Sequence, residues 1–180
     1  SFARALIGLN AIWQGELKYQ GQAIDPLQNQ AFSELRRNVQ MVFQDPFGSL
    51  DPRLSVQEII AEPLQIHGTH SKALQKTRVA DLLTQVGLPV EAANRYPHQF
   101  SGGQRQRIGI ARALYNDPEI IVLDEATSAL DSETEKDFMN IVYEMKKSKT
   151  MIIITHRPST LYKADRIYEF INGKFSQQNI

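Results

Sequence analysis

The sequence predicts an α/β fold built on a mainly parallel β-sheet. Two strand-sized runs, Glu119–Leu123 and Thr150–Thr155, are dense in Ile, Val and Leu. Continuous apolar runs of this length are typical of parallel strands that are covered on both faces. Segments with helical apolar spacing alternate with these runs along the chain, which is the order found in βαβ units. At 180 residues, the chain fits one domain that can bury a substantial core.

The first part of the chain is predicted to contain one helix and two strands. Apolar residues at helical spacing predict a helix over Ser1–Leu9, and alternation predicts a strand over Gly15–Gly21. A second strand is predicted at Val39–Phe43. The run Asp45–Arg53 is dense in Pro, Gly, Ser and Asp, which predicts a loop.

The middle of the chain is predicted to be helical. Helices are expected at Ser55–His67, at Ser71–Gly87 and at Ser101–Tyr115, where Ser101 is a suitable N-cap. The second of these helices is predicted to carry one apolar stripe, formed by Leu74, Val79, Leu82, Leu83 and Val86. We therefore expect a single domain in which a helical subdomain at 54–115 is inserted into a core formed by 1–53 and 116–180.

The last part of the chain is predicted to hold one more helix and a hairpin. The helix is expected over Ser132–Lys147, with a capping box between Ser132 and Glu135. Its inward side chains are predicted to be Phe138, Ile141, Val142 and Met145. Two short strands are expected within Arg166–Phe175, because Asn172-Gly173 is a hairpin turn signal.

Composition excludes several classes of protein. Lys plus Arg and Asp plus Glu both number 20, so the formal charge is zero, which argues against a nucleic-acid partner. The chain has no cysteine, so it has neither disulfides nor Cys-based metal sites. No apolar run approaches the roughly 18 to 20 residues that span a bilayer. If this protein works at a membrane, another polypeptide or domain is expected to do the spanning.

An acidic pair follows the first buried strand. The run Ile120–Leu123 leads directly into Asp124 and Glu125, and ligands of α/β sheets bind at the carboxyl ends of strands. One carboxylate at such a place can hold Mg²⁺, and the next can activate an attacking water. The alternative interpretation is a strand that ends in a solvated acidic turn.

A glycine-rich helix start is the second candidate. Ser101, Gly102, Gly103 and Gln104 form the first turn of a predicted helix. Two glycines allow close approach of a ligand to the backbone, and the exposed N–H groups of a helix start favour anions. An ordinary Ser-capped helix start explains the same residues without a ligand.

Two further polar residues follow predicted strands. His156 comes after Thr150–Thr155, where an imidazole can reach a terminal phosphate or the attacking water. Gln44 comes after Val39–Phe43, where its amide can contact Mg²⁺ or water. Taken singly, each is equally explained as an ordinary loop residue.

The order of these signals resembles that of one protein family, the ATP-binding cassette (ABC) ATPases. The family's Q-loop is similar to Val42–Pro46, its signature motif to Phe100–Arg107 and its Walker B strand to Ile120–Glu125. Its D-loop resembles Ser128–Asp131, and its H-loop is similar to Thr155–Arg157. The resemblance covers essentially the whole chain and implies a P-loop NTPase (RecA-like) core with a helical subdomain.

The resemblance implies roles around ATP and Mg²⁺. Asp124 and Gln44 correspond to residues that hold or sense Mg²⁺. Glu125 corresponds to the general base, and His156 to the residue that contacts the γ-phosphate. Asp131 corresponds to a residue that bridges two ATPase domains.

The resemblance also implies partners. In this family two ATPase domains pair head-to-tail, and the signature motif of each contacts the ATP of the other. Ser101, Gly102, Gly103 and Gln104 are therefore expected to contact the ATP of a second ATPase domain. Transmembrane permease subunits are the other expected partners, which places the protein peripherally at the cytoplasmic face of the cell membrane.

One family motif is absent from the sequence. The phosphate-binding loop G-x-x-x-x-G-K-[ST] does not occur, and Ser1 matches the second hydroxyl residue after its lysine, a candidate ATP contact. We expect a chain without this loop, and without the strands ahead of it, not to bind ATP in its own half-site. The edge of the strand at Met151–Ile154 is then expected to be unpaired.

The motifs point to two subfamilies. Asp45–Arg53 and Tyr96–Phe100 look like peptide or nickel importers, whereas Asp131–Glu135 and His156–Thr160 look more like exporters, with a change near 115–118. Three hypotheses follow: the ATPase subunit of a peptide-type importer, the ATPase domain of an exporter, and a non-catalytic or chimeric ABC module. A soluble ABC protein of translation or DNA repair fits the loop after Gln44 less well.

Overall fold

In a computed structural model of the chain, the described residues are 16–24, 35–43, 48–67, 71–171 and 174–178. The helix predicted at Ser1–Leu9 lies outside them. Seven strands are described: β1 (Lys18–Tyr19), β2 (Gln22–Ala23), β3 (Val39–Val42), β4 (Ile120–Asp124), β5 (Thr150–Ile154), β6 (Ile167–Ile171) and β7 (Lys174–Gln178). The longer α-helices of the described residues are α1 (Val56–His67), α2 (Lys72–Gln85), α3 (Gly102–Leu114) and α4 (Ser132–Met145).

The central sheet is parallel, as the two apolar runs predicted. Its strand order is β3-β4-β5. Val42 pairs with Leu123 across the first strand pair, and Asp124 pairs with Ile154 across the second. All three strands therefore end at the same edge of the sheet. Within the described part of the chain β5 is an edge strand, and the unpaired edge expected at Met151–Ile154 stays a prediction.

Both faces of the sheet are covered. Ile121 and Leu123 belong to the larger hydrophobic cluster, which also contains the buried side chains of α1 to α4. Val122, which points to the opposite face, packs in a second cluster with Leu35 and Met41. This alternation explains why β4 has an uninterrupted apolar sequence.

The helices of the middle region form as predicted, with one error on α2. Ser71 caps α2, and its hydroxyl accepts a bond from the Leu74 amide. Val79, Leu82, Leu83 and Val86 are buried, but Leu74 is 61 % exposed, so its place in the apolar stripe was wrong. Leu74 precedes Val79 by five positions, which rotates it by about 140° around the helix at 3.6 residues per turn.

The two hairpins differ from the predictions in detail. In place of a strand over Gly15–Gly21 there is a short hairpin, in which Lys18 pairs with Ala23. Gln20 and Gly21 both have positive φ, 49° and 79°, as a type I′ turn requires. The second hairpin, β6 with β7, is confirmed, although β7 runs on to Gln178; Asn172-Gly173 lies outside the described residues.

The start of α4 corrects another prediction. The N-cap is Asp131 and not Ser132: its carboxylate accepts bonds from the Thr134 amide at 3.0 Å and from the Thr134 hydroxyl at 2.7 Å. A carboxylate at a helix N-terminus is favoured by the helix dipole as well as by these bonds. The Glu135 side chain is used elsewhere, so no Ser132–Glu135 capping box forms. Across the described ranges, no helix combines the length and apolarity that crossing a bilayer requires.

We predict that truncation of a buried leucine of α2 destabilises the protein and that truncation of an exposed one does not. Leu82→Ala removes a fully buried side chain and is expected to lower the free energy of unfolding by about 2–5 kcal/mol. Leu74→Ala, the matched control on the same helix, is expected to change it by less than about 0.5 kcal/mol. Urea unfolding of both variants measures the difference, and equal losses would contradict the burial described above.

Candidate functional site

The acidic pair lies at the carboxyl edge of the central sheet. Asp124 is the last residue of β4, and Glu125 follows it directly. The Glu125 amide donates to the Ile154 carbonyl at 2.8 Å, which ties it to the end of β5. Glu125 has a φ of 51°, a conformation that non-glycine residues adopt at a cost of about 1–3 kcal/mol. The bond to β5 offsets part of that cost and fixes the Glu125 backbone beside the end of β5.

His156 meets this pair from the neighbouring strand. It lies two residues beyond the end of β5, and its Nε2 is 3.4 Å from Oε1 of Glu125. The imidazole is 88 % exposed and the carboxylate 30 % exposed, so both face solvent. The structure thus brings together three of the predicted site residues, Asp124, Glu125 and His156. A carboxylate that can accept a proton beside an imidazole that can donate a hydrogen bond suits hydrolytic chemistry.

The donor set at this edge fits Mg²⁺. Among the described residues there is no group of three or more His, Cys, Asp or Glu side chains that could hold a metal ion by itself. Mg²⁺ differs from metals that need such a cage, because proteins hold it through one or two carboxylates together with substrate phosphates and waters. Asp124, at the end of β4, is a carboxylate of this kind.

The predicted glycine-rich helix start is the N-terminus of α3. Ser101 is its N-cap: the hydroxyl accepts from the Gln104 amide at 3.4 Å, and the Gln104 side chain accepts from the Ser101 amide at 3.1 Å. This reciprocal capping box uses the Gln104 side-chain oxygen. The Ser101 hydroxyl keeps its own hydrogen for donation, because it only accepts in this arrangement.

Gly103 has a packing role that its sequence context did not suggest. A Cβ atom placed on Gly103 would lie 2.2 Å from Cγ2 of Thr134, and one on Gly102 would lie 3.8 Å from Cδ2 of Leu130. The first turn of α3 therefore packs directly on the first turn of α4. A glycine is needed at 103 for this contact alone, whatever ligand it also approaches.

Three other predicted site residues have different outcomes. Asp131 caps α4, and the amide and hydroxyl of Thr134 lower the pKa of its carboxyl group; its bridging role stays a prediction. Gln44 and Ser1 lie outside the described residues, so their predicted roles also stay predictions. The described strand β3 ends at Val42, beside Leu123 and therefore at the same edge of the sheet as the acidic pair.

The ion pair between Arg157 and Glu135, next to His156 in the chain, was not predicted from the sequence. Arg157 Nη1 lies 2.9 Å from Oε1 of Glu135, which is only 8 % exposed. Burial raises the pKa of Glu135, but hydrogen bonds from Arg157, Thr127 and Ser159 outweigh it and leave that pKa below its usual 4.5. One signal could have revealed the pair. Glu135 lies on the same face of α4 as Phe138 and the following apolar residues, and a carboxylate on a buried stripe requires a cationic partner.

The parallel sheet, with an acidic pair after one strand and a histidine after the next, defines a P-loop NTPase-type α/β domain. The chain belongs to the ABC transporter family, whose family model matches residues 1–128. It is 46 % identical over 176 residues to the oligopeptide transport ATP-binding protein OppF of Bacillus subtilis, covering 95 % of this chain and 58 % of OppF. It is 43 % identical over 171 residues to the glutathione import ATP-binding protein GsiA of Pectobacterium atrosepticum, covering 88 % of this chain and 27 % of GsiA.

A solved structure gives the same assignment. The dimeric, post-hydrolysis structure of the ATP-binding cassette MJ0796 bound to ADP and Pi superposes with a TM-score of 0.84 at 30 % identity, covering 98 % of this chain and 78 % of that one. These matches confirm the resemblance inferred from the motifs. The chain spans less than two thirds of the length of either curated relative.

We predict that Gly103→Ala destabilises the protein and that Thr134→Ser rescues it. The new methyl group collides with Cγ2 of Thr134, and overpacking of this kind costs about 1–3 kcal/mol. Thr134→Ser removes Cγ2 and keeps the hydroxyl that bonds Asp131; the next atom is then 3.7 Å away. Urea unfolding of both single variants and of the double variant measures the rescue. A double variant no more stable than Gly103→Ala would show that the packing is not the reason for the glycine.

We predict that Glu135→Gln destabilises the protein only where Glu135 is ionised. Because the folded-state pKa of Glu135 lies below its usual 4.5, ionisation stabilises the fold above that value and the effect is lost as pH falls through the folded pKa. At pH 7 the variant is expected to lose about 1–2 kcal/mol, since Arg157 is partly exposed. The gap between variant and wild type should close in unfolding curves below pH 4.5.

The control for this experiment is Asp137→Asn, an exposed carboxylate on the same helix. It removes one negative charge from α4 without touching the ion pair. A loss of stability with Glu135→Gln that is the same at all pH values would contradict the ionic contribution.

Proposed function

We propose that this chain is the ATP-hydrolysing part of an ABC transporter and that the transporter imports peptides. The observation that carries the proposal is the 3.4 Å approach of His156 Nε2 to Glu125 Oε1 at the ends of two adjacent parallel strands. A general base and a hydrogen-bond donor that lie this close, both facing solvent, can contact a water molecule and a phosphate group that bind next to each other on that side. Catalysis by such a site is mainly positioning and charge stabilisation.

The proposed roles of Glu125 and His156 rest on where their side chains lie, and the proposed roles of Asp124 and Gln44 rest on the resemblance to the ABC ATPases. Glu125 accepts a proton from the attacking water, and the hydrogen bond from its backbone N–H to the Ile154 carbonyl keeps this residue at the strand end. His156 donates a hydrogen bond to the terminal phosphate. Asp124 and Gln44 would hold Mg²⁺, which when bound would offset negative charge on the phosphate oxygens.

The second half of the proposed site acts on a partner. We assign Ser101, Gly102, Gly103 and Gln104 to the ATP of a second ATPase domain, which pairs head-to-tail with this one. The solved neighbour MJ0796 is described as dimeric, which supports pairing. Asp131 is assigned to the contact between the two domains, and Ser1 to the ATP of its own domain. In this arrangement 54–115 forms the helical subdomain and 1–53 with 116–180 the core.

The proposed direction and cargo rest on the relatives. OppF is named for oligopeptide transport and GsiA for glutathione import, and both ligands are peptides. Transmembrane permease subunits are the proposed further partners. The ATPase domain is accordingly assigned to the cytoplasmic face of the membrane as a peripheral protein.

We predict that Glu125→Gln, made in the full-length protein that contains this chain, abolishes hydrolysis but not binding. Loss of a general base is expected to lower kcat by about 10²–10⁴-fold, whereas MgATP affinity, measured by calorimetry, is expected to be unchanged. Glu133→Gln, an exposed residue of α4, is the matched control. Hydrolysis by Glu125→Gln at the wild-type rate would exclude Glu125 as the base, and a wild type that neither binds nor hydrolyses ATP would favour a non-catalytic module.

A further inference from the structure

The guanidinium of Arg157 joins three separate parts of the chain. Nη2 donates to the Ser128 carbonyl at 2.9 Å, and Nη1 donates to the Leu130 carbonyl at 3.1 Å and to Glu135 Oε1 at 2.9 Å. Ser128 and Leu130 lie in the loop between β4 and α4, whereas Glu135 lies within α4. One side chain therefore fastens this loop both to the helix that follows it and to the segment that follows β5.

The backbone of Arg157 is held as firmly as its side chain. Its amide donates to Oγ1 of Thr155 at 2.9 Å. Its carbonyl accepts from the amide of Thr160 at 3.1 Å and from the Thr160 hydroxyl at 2.8 Å. Thr160 is itself buried, at 1 % exposure. Because His156 lies between Thr155 and Arg157, this anchoring also limits where its imidazole can move.

In the loop at 125–131, Arg157 holds the backbone beyond Glu125. The Glu125 amide bonds the Ile154 carbonyl, and the side chains of Ala126 and Leu130 are buried. The other backbone bonds of the loop are short-range turns, from the Ser128 amide to the Glu125 carbonyl and from the Leu130 amide to the Thr127 carbonyl, each 3.0 Å long. Turn bonds of this kind shape a loop but do not fix it to the rest of a protein. The bonds from Arg157 come from a distant part of the sequence and fix the loop backbone at Ser128 and Leu130.

We infer that Arg157 is a positioning residue: its guanidinium holds the loop at 125–131 against the segment at 155–160 and so fixes Glu125 relative to His156. The inference rests on the proposed function, since it assigns the purpose of this contact to hydrolysis. The same contact orients Asp131, at the far end of the loop, and with it the α3–α4 packing at Gly103.

The chemistry of the contact requires arginine and not merely a positive charge. The planar guanidinium has several donors in a rigid fork, so it can bind two carbonyls and one carboxylate at once. A lysine ammonium is a compact charge on a flexible stem. Arg157→Lys is therefore expected to keep the ion pair with Glu135 but to lose the bonds to Ser128 and Leu130. This variant separates positioning from the general stabilising effect of a buried ion pair.

The experiment compares Arg157→Lys and Arg157→Ala with wild type in the full-length protein. Arg166→Ala, an exposed arginine nearby in the sequence, is the control for loss of charge. Three quantities are measured: kcat and KM for ATP, the thermal midpoint, and amide hydrogen exchange at Ser128 and Leu130. Hydrogen exchange reports the loop directly and does not depend on ATP hydrolysis.

We expect Arg157→Lys to stay folded, with a midpoint within about 4 °C of wild type. Its kcat should fall by about 10²-fold, the effect of a misplacement on the order of 1 Å, with KM for ATP unchanged. Exchange at Ser128 and Leu130 should become faster. Arg157→Ala should show the same changes in kcat and exchange with a lower midpoint, and Arg166→Ala should match wild type throughout.

Wild-type kcat and unchanged exchange in Arg157→Lys would overturn the inference, because charge alone would then suffice. A raised KM with unchanged kcat would overturn it as well, since the residue would then act in binding. If the wild-type protein does not hydrolyse ATP, the proposed function fails separately. In that case the exchange measurement still decides whether Arg157 holds the loop.

Discussion

The in-register pairing of β4 with β3 and β5 is the constraint on which the site depends. Val42 lies beside Leu123, and Asp124 lies beside Ile154, so the three strands end together. This common edge lets the Glu125 amide bond the carbonyl at the end of β5, and it brings His156 within 3.4 Å of the Glu125 carboxylate. A shift of one residue in either strand pair would move the strand ends about 3.3 Å out of line.

A second layer of contacts connects this edge to the start of α3. The loop after Glu125 ends at Asp131, which caps α4. Thr134, in the first turn of α4, packs against Gly103. Arg157 donates hydrogen bonds to the Ser128 and Leu130 carbonyls of the loop. A continuous set of hydrogen bonds and packing contacts therefore connects the acidic pair with the glycine-rich helix start. If the proposed half-sites lie on two paired domains, these contacts would link the state of one half-site to that of the other.

The sequence was sufficient to predict the parallel sheet and its helices. It was not sufficient to predict the side-chain contacts between distant segments. The buried parallel strands followed from apolar runs, because only a sheet covered on both faces tolerates them. Predictions from local sequence failed at two places. Asp131 and Ser132 are adjacent and both are good N-caps, so the sequence did not decide between them. Leu74 is apolar but lies about 140° around the helix from Val79. The positive φ of Gln20 carries no strong sequence signal. The bond network of Arg157 joins positions far apart in the chain, so it appears only in three dimensions.

A structure of the full-length Glu125→Gln protein with bound MgATP would test the proposed site most directly. We predict that the γ-phosphate lies at the carboxyl edge of β4 and β5, within hydrogen-bonding distance of the His156 imidazole, with Mg²⁺ adjacent to Asp124 and the side chain at position 125 facing the attacking water. A nucleotide bound away from this edge, or a γ-phosphate beyond the reach of both His156 and position 125, would contradict it.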